Sequence, residues 1–336
     1  MTRETRVPSR RRLRRRERAA LTTASLTALA LSASGCVVVH GEREVLPATT
    51  RAEAAKALTQ FTTAYNKADK AYDASQDADF TTGAFGDIDA ARLKARHANS
   101  PQGNPEHTPL VLSDVTYTIP KKAGWPRWFV ADAHGNRAGK SRWLLVFLRH
   151  DQDEPWQVGY LTLAKPGSVP RFKTDADGFA EAVDAGAADL AATPESLSRR
   201  YTTYLKSGGD GFADGPYTSV WRAAREKQAR RPGLANQYID TPLTRGDYAP
   251  LALRTADGGA LVFFTTRHYQ KQTAAPGVTV PDPGRDVLAL TSGEIKQSLT
   301  MEFVSNEVAL DPPRTSGRSE VSVLGRTQGM TSAQGS

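Results

Sequence analysis

Residues 50–72, TRAEAAKALTQFTTAYNKADKAY, and residues 143–161, WLLVFLRHDQDEPWQVGYL, are written in two different periods, and the change from one to the other decides the fold class. In the first, Ala54, Ala57, Leu58, Phe61, Tyr65, Ala68 and Tyr72 recur at three- and four-residue steps, the apolar stripe of an amphipathic helix. Thr50 and Glu53 stand three apart at its start, the spacing of a capping box. In the second, Trp143–Leu148 and Trp156–Leu161 are short apolar runs separated by polar turn residues, which reads as two strands.

Outward from these anchors the pattern extends in both directions. Between the helix and the strands, Asp87 is placed to cap a second helix of about ten residues carrying Ile88, Ala91 and Ala95. Val111–Ile119 and Trp128–Val130 alternate and give two further strands. Helices followed by an antiparallel meander make an α+β unit. The second half repeats the order. Phe179, Ala182, Val183 and Leu190 suggest a helix that restarts at Thr193-Pro194 before Leu197, Tyr201, Tyr204 and Leu205. Leu261–His268, Leu299–Val304 and Val308–Leu310 are its strand candidates.

An ungapped correspondence joins the halves at an offset of 132 residues. Phe80, Gly83, Phe85, Ile88 and Ala91 fall on Phe212, Gly215, Tyr217, Val220 and Ala223. The expectation is therefore two tandem α+β modules, residues 50–174 and 175–312, with Phe80 and Phe212 in equivalent places. Helices before a curved antiparallel sheet resemble the nuclear-transport-factor-two-like cone fold, a resemblance of element order alone. It implies that Trp125, Trp128, Trp143, Trp156 and Trp221 either line a concave pocket or fill the core. Residues 313–336, rich in Ser, Gly, Thr and Gln, read as a mostly disordered tail apart from the short run Val321–Leu324.

The N-terminal segment carries an address. Nine of the first eighteen residues are arginine, opposed by Glu4 and Glu17, so this segment holds +7 of the chain's net +8. The remainder is close to neutral, which removes the polyanion-binding reading that a basic chain invites, and no nucleic-acid partner is expected. Ala19–Leu31 is apolar but short and rich in Ala and Thr, too weak for a spanning helix and suited to a secretory signal. Ser34-Gly35-Cys36 resembles the end of a bacterial lipobox, with Ala33 where Leu is usual. The resemblance implies that residues 1–35 are removed and that Cys36, the chain's one cysteine, carries the lipid that ties the protein to the membrane's extracytoplasmic face. Ser9-Arg10-Arg11-Arg12-Leu13 is similar to the twin-arginine export consensus, which makes Arg10 and Arg11 the export signal. Residues 36–49 then form a lipidated tether that keeps the folded part near the bilayer. Taken whole, the chain resembles exported lipoproteins of high-GC Gram-positive bacteria, a resemblance that brings no activity with it.

Motifs that could carry chemistry were weighed in turn. Gly135–Ser141 looks like a phosphate loop, but three residues rather than four separate its glycines, and a strand follows where a helix must open; a polar hairpin connection fits better. Asp175-Ala176-Asp177-Gly178 with Asp184 resembles part of a calcium loop, but register places Lys173 at the first ligand position, so these aspartates read as a cap for a helix near Phe179. Asp73, Asp77 and Asp79, and Asp210 and Asp214, flank corresponding loops. His40, His97, His107, His134, His150 and His268 lack helical-pair spacing, and no serine sits in a nucleophile-elbow motif, so no metal, cofactor or catalytic residue is expected. The function that follows is a membrane-anchored, non-enzymatic module binding a partner or ligand. A hydrolase-type enzyme and a structural envelope component are the rivals.

Overall fold

The computed structural model describes residues 44–336. In chain order the elements are β1 (Leu46–Pro47), α1 (Arg51–Ala71), α2 (Gly83–Asn99), β2 (Leu112–Thr118), β3 (Pro120–Lys122), β4 (Arg127–Gly135), β5 (Arg142–Arg149), β6 (Gln157–Ala164) and β7 (Ala180–Glu181). There follow α3 (Leu197–Ser207), α4 (Ser219–Ala229), β8 (Arg230–Arg231), β9 (Leu234–Leu243), β10 (Leu251–Arg254), β11 (Ala260–Ala274), α5 (Arg285–Leu290), β12 (Thr291–Ser292), β13 (Ser298–Asp311) and β14 (Ser322–Gly335). This is an α+β protein. No helix among the described residues is long and apolar enough to cross a membrane.

Two main sheets organise the unit. One has the order β2-β4-β5-β6; the other runs β12-β14-β13-β11-β9-β8, with β10 also paired to β11. Strands β4 and β5 are apolar on both faces, so successive residues serve different layers. Phe129, Ala131, Leu145 and Phe147 point to α1 and α2, where they meet Ala54, Leu58, Phe61 and Phe85. Trp128, Val130, Leu144, Val146 and Leu148 point the other way, against Leu253, Leu261, Phe263 and Val308 of the second sheet. On the far face of that sheet, Val262, Phe264 and Ala309 pack beneath Leu197, Tyr201 and Leu205 of α3. The layering is helix, sheet, sheet, helix. The middle apolar layer draws from both halves of the chain, so the boundary at residue 174 does not separate two independent cores.

Close approach of the two sheets has a local requirement at Gly325 in β14. A Cβ there would lie 2.4 Å from the Leu163 carbonyl oxygen of β6. Only glycine lets the two backbones come this near.

The halves share a further device. Thr81 forms an isolated parallel bridge with Val158 on β6, and Phe212 forms one with Val321 at the entry to β14. Phe80 packs, half-buried, on the α1–α2 core, and Phe212 is buried in the α3 core.

Several expectations are corrected. Residues 322–335 are a strand bonded to β13 along its length, not a disordered tail. Their small residues permit the close approaches just described, while Val321, Val323, Leu324, Met330 and Ala333 supply the packing. Residues 179–190 are not a helix. They form an extended strap in which Ala180 pairs with Pro120, Ala182 bridges Leu253 and Leu190 bridges Pro313. Asp87 lies inside α2, whose N-cap position is Thr82, and accepts a hydrogen bond from the Tyr248 hydroxyl at 2.7 Å. Leu299–Val304 and Val308–Leu310 belong to one strand, β13. The capping box is half made. Thr50 accepts from the Glu53 amide at 3.1 Å, but the Glu53 carboxylate turns to Thr49, Arg149 and Trp156.

Sheet edges are covered in part. β8 and β12 are two residues each and pair with only one end of β9 and of β14. β2 is broken by an irregularity between Ser113 and Thr116, where Asp114 has φ +49°. The Thr82 amide donates to the Val158 carbonyl at 3.0 Å and closes part of the β6 edge.

Candidate binding site

The most highly charged concavity lies where α1 ends and α2 crosses it. Tyr72 closes α1 with φ +53°, a left-handed residue that normally favours glycine or asparagine. The loop that follows α2 then folds back on the helix end. The Asn104 amide donates to the Lys70 carbonyl at 2.8 Å, and a Cβ on Gly103, at φ +94°, would stand 2.7 Å from that same oxygen. The turn brings Asn104, Glu106, His107 and Thr108 over Asp69.

Asp69 is the hub, and it is buried. Its carboxylate accepts from Arg92 Nη1 at 2.7 Å, pairs with His107 Nδ1 at 3.0 Å and faces Arg137 Nη2 at 3.7 Å. Burial opposes its charge, but hydrogen bonds from Arg92 and His107 win and hold its pKa below the usual carboxylate value. Arg92 turns its remaining donors to Asp89 Oδ1, at 3.1 Å from Nε and 2.8 Å from Nη2, and lies 5.5 Å from the Tyr65 ring centre. With Tyr72, Arg96, Asn104, Glu106 and Thr108, these groups wall an open cavity of about 530 Å³. Smaller cavities of about 260 and 390 Å³ flank α2, walled in part by Lys94 with His97 and by Lys94 with Arg267. These are separate concavities on different sides of α2, and the one over Asp69 is the most elaborately bonded of them.

Behind Arg92 sits a second carboxylate, Asp77, buried against Asp89. Burial, together with the charge and hydrogen bond of Asp89, pushes its pKa up to about 8. Asp77 is thereby favoured in its protonated form, with its proton available to the Asp89 carboxylate. A pKa raised in the fold stabilises below the unfolded value of 3.8, and this contribution is lost as pH rises towards 8. Asp77→Asn supplies a permanent donor to Asp89. The variant is expected to melt higher than the parent at pH 9, with the difference shrinking towards pH 4; a difference in melting temperature that does not change with pH would contradict a proton held at Asp77.

A second polar constellation is closed over by α4. Arg225 Nη1 meets both carboxylate oxygens of Asp240, at 2.9 and 2.8 Å. Glu307 Oε1 accepts from Thr266 at 2.7 Å and from Arg326 Nε at 3.3 Å. The Trp221 ring lies between the two guanidiniums, 5.0 Å from Arg225 and 4.6 Å from Arg326. Burial outweighs Arg326 and lifts Glu307 to about 8; burial, with Arg225 and Arg326, drops His268 to about 2. Burial thus disfavours the charged forms of both Glu307 and His268, and no open concavity leads to the cluster among those described.

The residues singled out by sequence scatter. Cys36, Arg10 and Arg11 lie outside the described residues. Gly135–Ser141 is the hairpin between β4 and β5. Asp175 accepts from the amides of Asp177 and Phe179, at 3.0 and 2.9 Å, in a local turn, and both aspartates face Lys121 instead of capping a helix. Asp73 accepts from the Ser75 amide at 3.0 Å. His150 lies 2.8 Å from Asp247, far in sequence from the pairing of His107 with Asp69. No group of three or more His, Cys, Asp or Glu is placed to hold a metal among the described residues. Trp128, Trp143 and Trp156 are core, Trp221 is half-buried, and Trp125 is exposed. Sequence reasoning missed Asp69, Asp89 and Arg92, and singled out Asp77 only as one of an acidic loop cluster. The one local signal was the Asp89–Arg92 pair three apart on a helix.

The chain belongs to the family described as domain of unknown function (DUF8094), whose model matches residues 45–335. It is 69% identical over 325 residues to uncharacterized lipoprotein SCO2278 of Streptomyces coelicolor, covering 97% of this chain and 98% of the relative. An uncharacterized lipoprotein of Streptomyces avermitilis is 59% identical over 97% of this chain and 98% of its own length. A more distant relative, uncharacterized lipoprotein SCO6871 of Streptomyces coelicolor, is 25% identical over 67% of this chain and 64% of its own length. No solved structure matches.

Proposed function

We propose that the protein is exported by the twin-arginine route through Arg10 and Arg11, is lipidated at Cys36, and binds a partner or small ligand at the extracytoplasmic membrane face without catalysing a reaction. The observation that carries this reading is where the free space lies. Phe61, Phe85, Phe129, Phe147 and Trp156 fill the concave face of the first sheet with stacked and edge-on aromatic pairs. Helix α3 fills the second in the same way through Tyr201, Phe212 and Phe264. Of the open concavities that remain, the one of about 530 Å³ between the end of α1 and α2 carries the most ordered set of charged groups. Its walls offer guanidinium, amide and hydroxyl donors in fixed positions, which suits an acceptor-rich partner surface.

The experiment uses the intact protein recovered from its own membranes. Mass spectrometry is expected to find a diacylglyceryl-modified Cys36 at the new N-terminus. A partner retained by the parent is expected to be lost on double charge reversal, Arg96→Glu with Arg137→Glu, while the circular dichroism spectrum is kept. An unmodified N-terminus elsewhere overturns the anchor. Retention indifferent to both substitutions overturns the groove.

A further inference from the structure

We propose that the end of the molecule from which the tether emerges is a membrane-contact surface, with Trp125, Val45 and Leu46 seated in the headgroup layer of the bilayer that holds the anchor. The inference rests on lipidation at Cys36 and adds a specific docking face to it.

Reach comes first. Cys36 precedes Glu44 by eight residues, which span at most ~30 Å when fully extended. A compact unit of this length is roughly 50 Å across. The tether is thus shorter than the body it holds, and the side it leaves from must face the lipid.

That side is built for the encounter. Val45 and Leu46 are 61% and 40% exposed where the chain enters β1, and Trp125 is 38% exposed in the loop that links β3 to β4. Leu46 sits opposite Lys122 in the β1–β3 pair. Arg127 Nη1 donates to the carbonyls of Leu46 at 3.1 Å and Lys122 at 2.6 Å, tying the chain entry to the start of that loop. The guanidiniums of Arg127 and Arg149 each lie 5.7 Å from the Trp125 ring centre. The indole is therefore presented from a fixed base, not from a loose loop.

Chemistry selects the occupant. An indole has an apolar body and one polar edge, which places tryptophan at bilayer interfaces. Lys122 directs its ammonium to the carbonyls of Ala123 and Trp125, at 3.2 and 3.4 Å, and pairs with no carboxylate among the described residues. It stands at the depth of the lipid phosphates once the ring enters the headgroups. The other exposed apolar side chains, Val111, Val220, Ile239, Val278 and Leu288, are single aliphatics on other elements and call for no partner.

The tryptophans themselves supply the readout, because Trp128, Trp143 and Trp156 are buried, Trp221 is half-buried, and of the five only Trp125 is exposed. The chain beginning at Cys36 would be coupled through that single thiol to a maleimide lipid, in phosphatidylcholine–phosphatidylglycerol vesicles containing brominated acyl chains. Bromine is expected to quench part of the emission. Trp125→Phe should lose most of that quenching, Trp221→Phe should keep it, and Val45→Asp should weaken it. Quenching that survives Trp125→Phe, or is absent from the parent, overturns the surface. Absence of quenching with a blue shift that grows with protein density would assign Trp125 to a second copy and overturn it equally. Mass spectrometry of protein from cells is read separately. An unmodified Cys36 there sinks the anchor, whereas failed quenching on the coupled protein sinks the docking face and leaves the anchor standing.

Discussion

Phe263→Ala is expected to lower a single cooperative unfolding transition of residues 44–336, not one of two. Phe263 is fully buried in the layer between the sheets, its ring 6.2 Å from Tyr160. Truncating a buried aromatic costs ~3–5 kcal/mol, the lost transfer energy plus the cavity left behind. A loss of that size is a large share of the ~5–15 kcal/mol that holds a domain. The layer it damages is walled by β4, β5 and β6 on one side and β10, β11 and β13 on the other, so neither sheet can keep its inner face dry once the other departs. Calorimetry of the parent and of Phe263→Ala is the measurement. Two separable transitions, with only the later sheet's shifted, would show that the halves hold independent cores.

The second large effect is electrostatic. Arg225 and Asp240 are each about one-twentieth exposed in their side chains, and the two meet at 2.8 Å. Arg225→Ala removes the cation and leaves a carboxylate in a poorly solvated place, a change that costs ~3–5 kcal/mol in buried pairs. Burial already lifts the Asp240 pKa despite the guanidinium. Without Arg225 the carboxyl takes up a proton more readily still, so the deficit is expected to be larger at pH 8 than at pH 5. Removing both partners, Arg225→Ala with Asp240→Ala, is expected to cost less than the sum of the single changes. Additivity in urea denaturation would mean that the pair contributes no coupling.

Legibility in the sequence followed burial. α1 and strands β2, β4, β5 and β6 were readable because each presents a regular apolar pattern to a neighbour. The strap at 179–190 was not. Phe179, Ala182, Val183 and Leu190 happen to fall at near-helical steps, while the segment's backbone bonds go to β3, β10 and residues near Pro313. Composition also misled at β14. Its order comes from a ladder to β13 and from glycines that allow close approach, and neither is a property of apolar content. The groove was invisible for a different reason. Asp69 sits beside the apolar stripe of α1, Arg92 on α2 and Arg137 in a hairpin, and only the fold brings them together. Arg10, Arg11 and Cys36 were read from local motifs, which need no fold to be legible.

The blunted sheet edges have a consequence for crowding. Lipoproteins diffuse in a plane, where collisions between copies are far more frequent than for the same number of molecules in bulk solution. A long open strand would turn those collisions into ribbons, each copy extending its neighbour's hydrogen-bond ladder. Here the first sheet is protected by a kink at Asp114 and by a β6 flank already partly engaged by Thr82, while β8 and β12 cap only the ends of β9 and β14. Collisions that could extend a ladder are thereby confined to the outer flanks of those two strands.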